Sequence, residues 1–160
     1  MVELFGEYRV LIIFLHVISA VVWVGGMIAM RFAAHQSFMD IESPAKRLEH
    51  ISKALKRLFY IVLPFVITLL VTAIFIAKAY GISYGEYSTL AQAKKGIWIF
   101  MFLNLLVMMF RRSRADKLIA AGDFAGAKRM LEMIGKYMVP VNIILGVIAI
   151  FIGSYFSAQF

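Results

Sequence analysis

The chain has no cysteine, which removes disulfides, thiolate metal sites and a cysteine nucleophile from consideration. Charge is scarce as well. Asp, Glu, Lys and Arg make up 16% of the residues, where an ordinary soluble chain has about a quarter. The shortage falls mainly on acids, nine against 17 basic residues. No pair of carboxylates lies inside an apolar run, and there is no glycine-rich phosphate loop and no His-Glu-x-x-His helix, so the familiar phosphate-binding and zinc-protease frames are missing. Internal repeats and low-complexity tracts are also absent.

Apolar residues take up what is missing elsewhere: 62% of the 160 residues are hydrophobic and the mean hydropathy is +0.86. They collect in four runs, at 10–30, 58–77, 96–110 and 138–156. Three of these reach the roughly 20 residues that cross a hydrocarbon core of about 30 Å. The third run is shorter, but Lys94, Lys95, Arg111 and Arg112 bound it, and their stems can snorkel to the interfaces. The pattern predicts an all-α membrane protein, a single domain over residues 1–160 built as a four-transmembrane-helix bundle. The first run reads as a span rather than a cleaved signal, because Glu3, Glu7 and Arg9 do not form a basic leader and no Ala-x-Ala site follows.

Lys and Arg set the expected orientation. The segment between the first two runs holds Arg31, Lys46, Arg47, Lys53, Lys56 and Arg57, and the segment between the last two holds seven more, from Arg111 to Lys136. The opposite side carries Arg9, Lys78, Lys94 and Lys95. The positive-inside rule makes the two rich segments cytoplasmic and puts both termini outside, on the periplasmic side of a bacterial inner membrane. The net charge of +8 follows from that asymmetry, and residues that flank helices at membrane level do not form a nucleic-acid patch. Both rich segments carry helical signals. Ser43-Pro44 reads as a cap with proline in the first turn, after which Leu48, Ile51, Leu55, Leu58 and Val62 recur at three- and four-residue spacing. Gly122-Asp123 ends one helix and caps the next.

Chemistry is best sought at His16, about 9 Å into the first span. An ionisable residue there needs a partner or a task. It could be a cofactor ligand or a neutral imidazole bonded to a neighbouring helix, and spacing alone leaves both open. Ser19, Ala20, Trp23, Met27 and Met30 share its face, the small pair leaving room for something flat or for a close helix. Gly25, Ala29 and Ala33 form a small-residue stripe on the opposite side, suited to close helix packing. Met101 of the third run is expected at a similar depth, with Asn104 one turn deeper and Lys94 and Lys95 above. A His16/Met101 pair could ligate haem iron, with the lysines near its propionates. Copper is the alternative: Met27, Met30, Met108, Met109 and Met138 gather near the opposite ends of the spans, with His35 and Met39 just beyond, and thioethers suit Cu(I). A non-catalytic membrane subunit, alone or as a homo-oligomer, is the third possibility. His16 and His35 are about 28 Å apart along a helix and cannot share one metal.

Leu15-His16, Trp23, Gly25-Gly26, Arg31 and His35 resemble the first helix of the CopD-like superfamily, which includes copper-resistance membrane proteins and HemJ-type protoporphyrinogen IX oxidases. The run from Leu55 to Tyr60 with Pro64, then Arg114, Lys117-Leu118 and Pro140, extends the likeness over most of the chain. The resemblance implies a four-helix core, a b-type haem or porphyrin, and His16 as a haem ligand. Aligned on Arg114, Trp98 and Met109 stand where the HemJ type carries Lys and His in its third helix, with Lys94 and Lys95 displaced outward. The likeness therefore extends to oxidoreductase chemistry of the haem class, while no catalytic residue carries over. On these grounds the expected cofactor-binding residues are His16, Trp23, Lys95 and Asn104, and the expected metal ligands His16 and Met101.

The orientation is directly testable. A reporter active only in the periplasm should work when fused after Phe160 or within Gly81–Ser88, and should be silent within Ser113–Gly122; activity at the last site would invert the topology.

Overall fold

The computed structural model describes residues 2–82 and 88–159, and contains no strand among them. Most of the expected outer loop (Ser83–Tyr87) and the C-terminal Phe160 lie outside the described residues. Four helices are each long and apolar enough to cross a membrane: α1 (Val2–Met39), α2 (Pro44–Ala79), α3 (Ser88–Ala120) and α4 (Phe124–Ser157). The protein is an integral-membrane four-helix bundle. Each helix outlasts its apolar run, since the 36 residues of α2 rise about 54 Å, against about 30 Å of hydrocarbon. The surplus projects mainly at the end that carries the basic segments, called here the basic end. The other is the termini end.

The joints at the basic end form as their sequences dictate. The Ser43 backbone is extended and its side chain accepts from Lys46 N at 3.5 Å, with Pro44 in the first turn of α2. Gly122 takes a positive φ of 78°, and Asp123 caps α4 by accepting from Gly126 N at 2.8 Å. Beside them Ser52 of α2 donates to Asp116 of α3, and Arg112 holds the same carboxylate at 2.6 Å. At the termini end Phe5 meets the Tyr80 ring edge-on at 5.5 Å and Arg9 lies over that ring.

Besides a kink at Tyr8 (φ −111°, ψ 25°), three turns among the described residues are π-helical. α1 carries π-helical turns at Val21–Gly25 and Met30–Ala34, and α4 carries one at Ile134–Met138. The last precedes Pro140, whose missing N–H deprives an earlier carbonyl of its donor. A π turn holds an extra residue. The small-residue stripe does not form the expected packed seam. Ala29 and Ala33 are exposed and nothing lies within 4 Å of a β-carbon placed on Gly25. The close approach is made instead by Gly26, over Leu58 of α2.

The bundle centre is apolar, with Trp23, Met27, Phe59, Val62, Leu105 and Met108 fully buried. One polar lock crosses it. Asn104 of α3 donates to Asn142 Oδ1 at 2.7 Å and to the Met138 carbonyl at 2.9 Å, while Asn142 donates to the Met101 carbonyl at 3.2 Å. One turn on, Gly146 admits α1: a β-carbon there would stand 2.5 Å from Val24 Cγ2 and 3.3 Å from Met101 Cε. Valine is stiff at χ1 and cannot swing aside. Gly146→Ala should therefore lower stability by about 1–3 kcal/mol, read from unfolding in mixed micelles. Val24→Ala added to it should recover much of the loss; equal destabilisation by the single and double variants would refute this contact.

Candidate functional site

Antiparallel packing fixes which residues share a level. Met101 of α3 sits beside Gly146 of α4, and Lys94, two turns earlier, sits beside Gly153, two turns later. On α1, Val24 reaches Gly146, so His16, about 12 Å of helix rise toward the termini end, falls at the Lys94–Gly153 level. The Lys94 ammonium is within electrostatic reach of the imidazole. From α2 comes Thr72, whose Oγ1 is 2.9 Å from His16 Nδ1. One residue from each helix thus meets at a single level of the bundle.

The hydrogen bonds there assign the histidine tautomer. Thr72 Oγ1 is 2.7 Å from the Thr68 carbonyl and 3.1 Å from that of Leu69. A hydroxyl has one proton, and carbonyls only accept. The Thr72 proton therefore goes to its own helix, leaving oxygen lone pairs to accept from His16. In a neutral imidazole Nδ1 then carries the hydrogen and Nε2 the lone pair. This is how proteins orient a histidine that serves as a ligand: the non-ligating nitrogen is held by a hydrogen bond.

Lys94 is the lysine that turns inward. It is half-buried, and an added β-carbon on Gly153 would stand 2.7 Å from its Nζ. No carboxylate forms an ion pair with it among the described residues. Lys95, the lysine expected at the site, is exposed. The sequence did hold the signal: Lys94, Met101 and Met108 follow at seven-residue intervals, and the two methionines are buried, so Lys94 extends the buried stripe. Thr72 had no such signal, because its role depends on which helix lies beside His16.

The other expected residues are distributed differently. Trp23 is buried in the core and its Nε1 has no hydrogen-bond partner; the same holds for Nε1 of Trp98, one turn from Lys94. Buried donors without partners are uncommon and call for an acceptor. Met101 is buried with its methyl end toward Gly146 and Val24, about two turns deeper than His16, so the structure does not bring the two together. Both Nδ2 hydrogens of Asn104 are used on α4. Ser19 is fully enclosed and donates to the Leu15 carbonyl at 2.6 Å, so its small side chain admits a neighbouring helix.

At the basic end, His35 is half-buried and His50 is exposed, with Nδ1 2.7 Å from the Lys46 carbonyl. No group of three His, Asp or Glu suited to a metal occurs among the described residues. Met27 and Met108 are buried in the core, and Met30, Met109 and Met138 pack against it. Gly81, Ser83 and Gly85 have the Gly-x-Ser-x-Gly spacing. That motif works on a strand-to-helix turn, whereas here it follows α2, and Ser83 and Gly85 lie outside the described residues. Compared with protein families, with curated proteins and with solved structures, the chain matches none.

The tautomer assignment can be checked without any ligand. In 15N-histidine spectra of the protein in micelles, His16 should be protonated at Nδ1 in the wild type and in Thr72→Ser. In Thr72→Val, which removes the hydroxyl acceptor and leaves the Leu69 carbonyl, the Nε2-protonated form should gain population. An unchanged His16 signal in Thr72→Val would mean that Thr72 does not orient the ring.

Proposed function

We propose that this protein binds a b-type haem in the termini-end half of its bundle and serves in electron transfer or related redox chemistry. The observation that carries the reading is the His16 tautomer: α2 holds Nδ1–H at Thr72, with the Leu69 carbonyl also beside the imidazole, which assigns the ligating lone pair to Nε2. The donor set suits the cofactor in two further ways. Among the described residues, Lys94 is a half-buried cation with no acidic partner and would serve a propionate, and the indole N–H groups of Trp23 and Trp98 have no partner there either. When bound, the haem would supply a one-electron couple tuned by its axial ligand and by burial. The chain's own residues hold the imidazole in the ligating tautomer, place a positive charge beside it and keep it among apolar helices.

The likeness of the first helix to CopD-like proteins supports the same reading. The Lys and Arg asymmetry supports a bacterial inner membrane with the termini on the periplasmic side. Copper handling is the second reading, favoured by Met27 and Met108 in one core with Met30, Met109 and Met138 against it. Methionine is also an ordinary gap filler in cores.

Absorption spectra of purified variants separate these readings. Protein expressed with excess haem should show a Soret band that His16→Ala abolishes and that His35→Ala and His50→Ala retain. Met101→Leu should leave the band unchanged, because its thioether faces Gly146. A colourless wild type, or a normal band in His16→Ala, would end the haem reading. If copper is the cargo, replacing Met27, Met30, Met108 and Met109 with Leu should remove bound copper. Such swaps are close in volume and cost less than about 1.5 kcal/mol each. Neither cofactor in the wild type would favour a non-catalytic membrane subunit.

A further inference from the structure

Along α2 the basic end passes into the lipid-facing surface without a break. Lys53, Lys56, Arg57, Tyr60 and Ile61 line one shallow groove. Tyr60 and Ile61 are 62% and 57% exposed, and Pro64 is exposed one turn further along. Lys53 reaches Glu49 at 3.4 Å, but both side chains are largely solvated and such pairs contribute little. Lys56 and Arg57 have no carboxylate within ion-pair distance among the described residues. Three other cations at the same end do have partners. Arg112 has Asp116 at 2.6 Å, Lys128 has Glu132 at 3.6 Å, and Arg47 donates to the Ile41 carbonyl at 2.7 Å.

The complement of this groove is anionic at one end and apolar at the other. We propose that it binds a diacyl anionic phospholipid, the phosphate between Lys56 and Arg57 and the acyl chains over Tyr60, Ile61 and Pro64. A guanidinium fork matches phosphate oxygens, and a tyrosine at that boundary presents an apolar ring beside a polar hydroxyl. Free phosphate would satisfy the cations and leave the apolar half bare; a lipid covers both. Phosphatidylglycerol, a diacyl lipid with one negative charge, is the probe of choice.

The test uses the full-length protein in mild detergent, with lipid retention measured by native mass spectrometry. Phosphatidylglycerol should be retained over phosphatidylcholine. Lys56→Gln with Arg57→Gln should weaken phosphatidylglycerol roughly 30-fold, since each basic residue near an anionic surface contributes about a factor of five. Lys128→Gln with Arg129→Gln removes the same charge from exposed positions on α4 and should leave retention unchanged. Should the first double variant fail to fold, Lys56→Gln and Arg57→Gln separately, each about fivefold weaker, carry the same test. Equal loss in both double variants, undiminished retention in the groove variant, or displacement of the lipid by inorganic phosphate or glycerol 3-phosphate would each overturn the proposal.

Discussion

A helix in hydrocarbon gains little by turning an apolar face toward another helix, because lipid tails are as apolar as leucine. Register between helices must come from close packing and from polar groups with nowhere else to go. In this protein that constraint is met by the amide lock of Asn104 and Asn142. Each interhelical hydrogen bond of this kind contributes only about 0.6–2 kcal/mol, but an amide left unpaired in lipid would cost more. The three bonds also specify a register, since Asn104 reaches the Met138 carbonyl and Asn142 reaches that of Met101. A slide of one turn between α3 and α4 would break all of them. The placement of Met101 beside Gly146 and of Lys94 beside Gly153 depends on that register.

The irregular turns do related work along single helices. The π turns of α1 lie at Val21–Gly25 and Met30–Ala34. Trp23, Val24 and Met27 turn inward, while Ala29 and Ala33 turn out. In α4 the π turn and Pro140 lie where Asn104 reaches the Met138 carbonyl. Backbone irregularity at membrane depth is tolerated where neighbouring helices cover it.

The two ends of the bundle present different chemistry. At the termini end, His16, Thr72, Lys94 and Gly153 meet at one level, each from a different helix, and the polar groups there are only partly paired within the chain. At the basic end Arg47, Lys53, Arg112 and Lys128 find carboxylates or carbonyls, and Ser52, Asp116 and Arg112 join α2 to α3. Lys56 and Arg57, which have no carboxylate partner among the described residues, stand at the margin of the apolar surface. Cofactor chemistry belongs to the first end and contact with headgroups to the second.

By itself the sequence determined the four spans, the sharp caps at Ser43 and Asp123, and the singular position of His16. All of these rest on local patterns: run length, turn residues, and one imidazole among apolar neighbours. It also held the cue that Lys94 rather than Lys95 faces inward, through the spacing to Met101 and Met108. Tertiary structure decided the partner of His16, the depth of Met101 and the face of the small-residue stripe. Matching depths from the edge of an apolar run put Met101 beside His16, because run edges give no register between helices. Gly25, Ala29 and Ala33 were expected in a packed seam because of their size, but they lie on the side of α1 away from Trp23 and Met27, and small side chains do not say on which side a neighbouring helix lies. Thr72 could be recognised only once α2 lay against α1, since a threonine in an apolar span reads the same whether it bonds its own helix or also accepts from a neighbour.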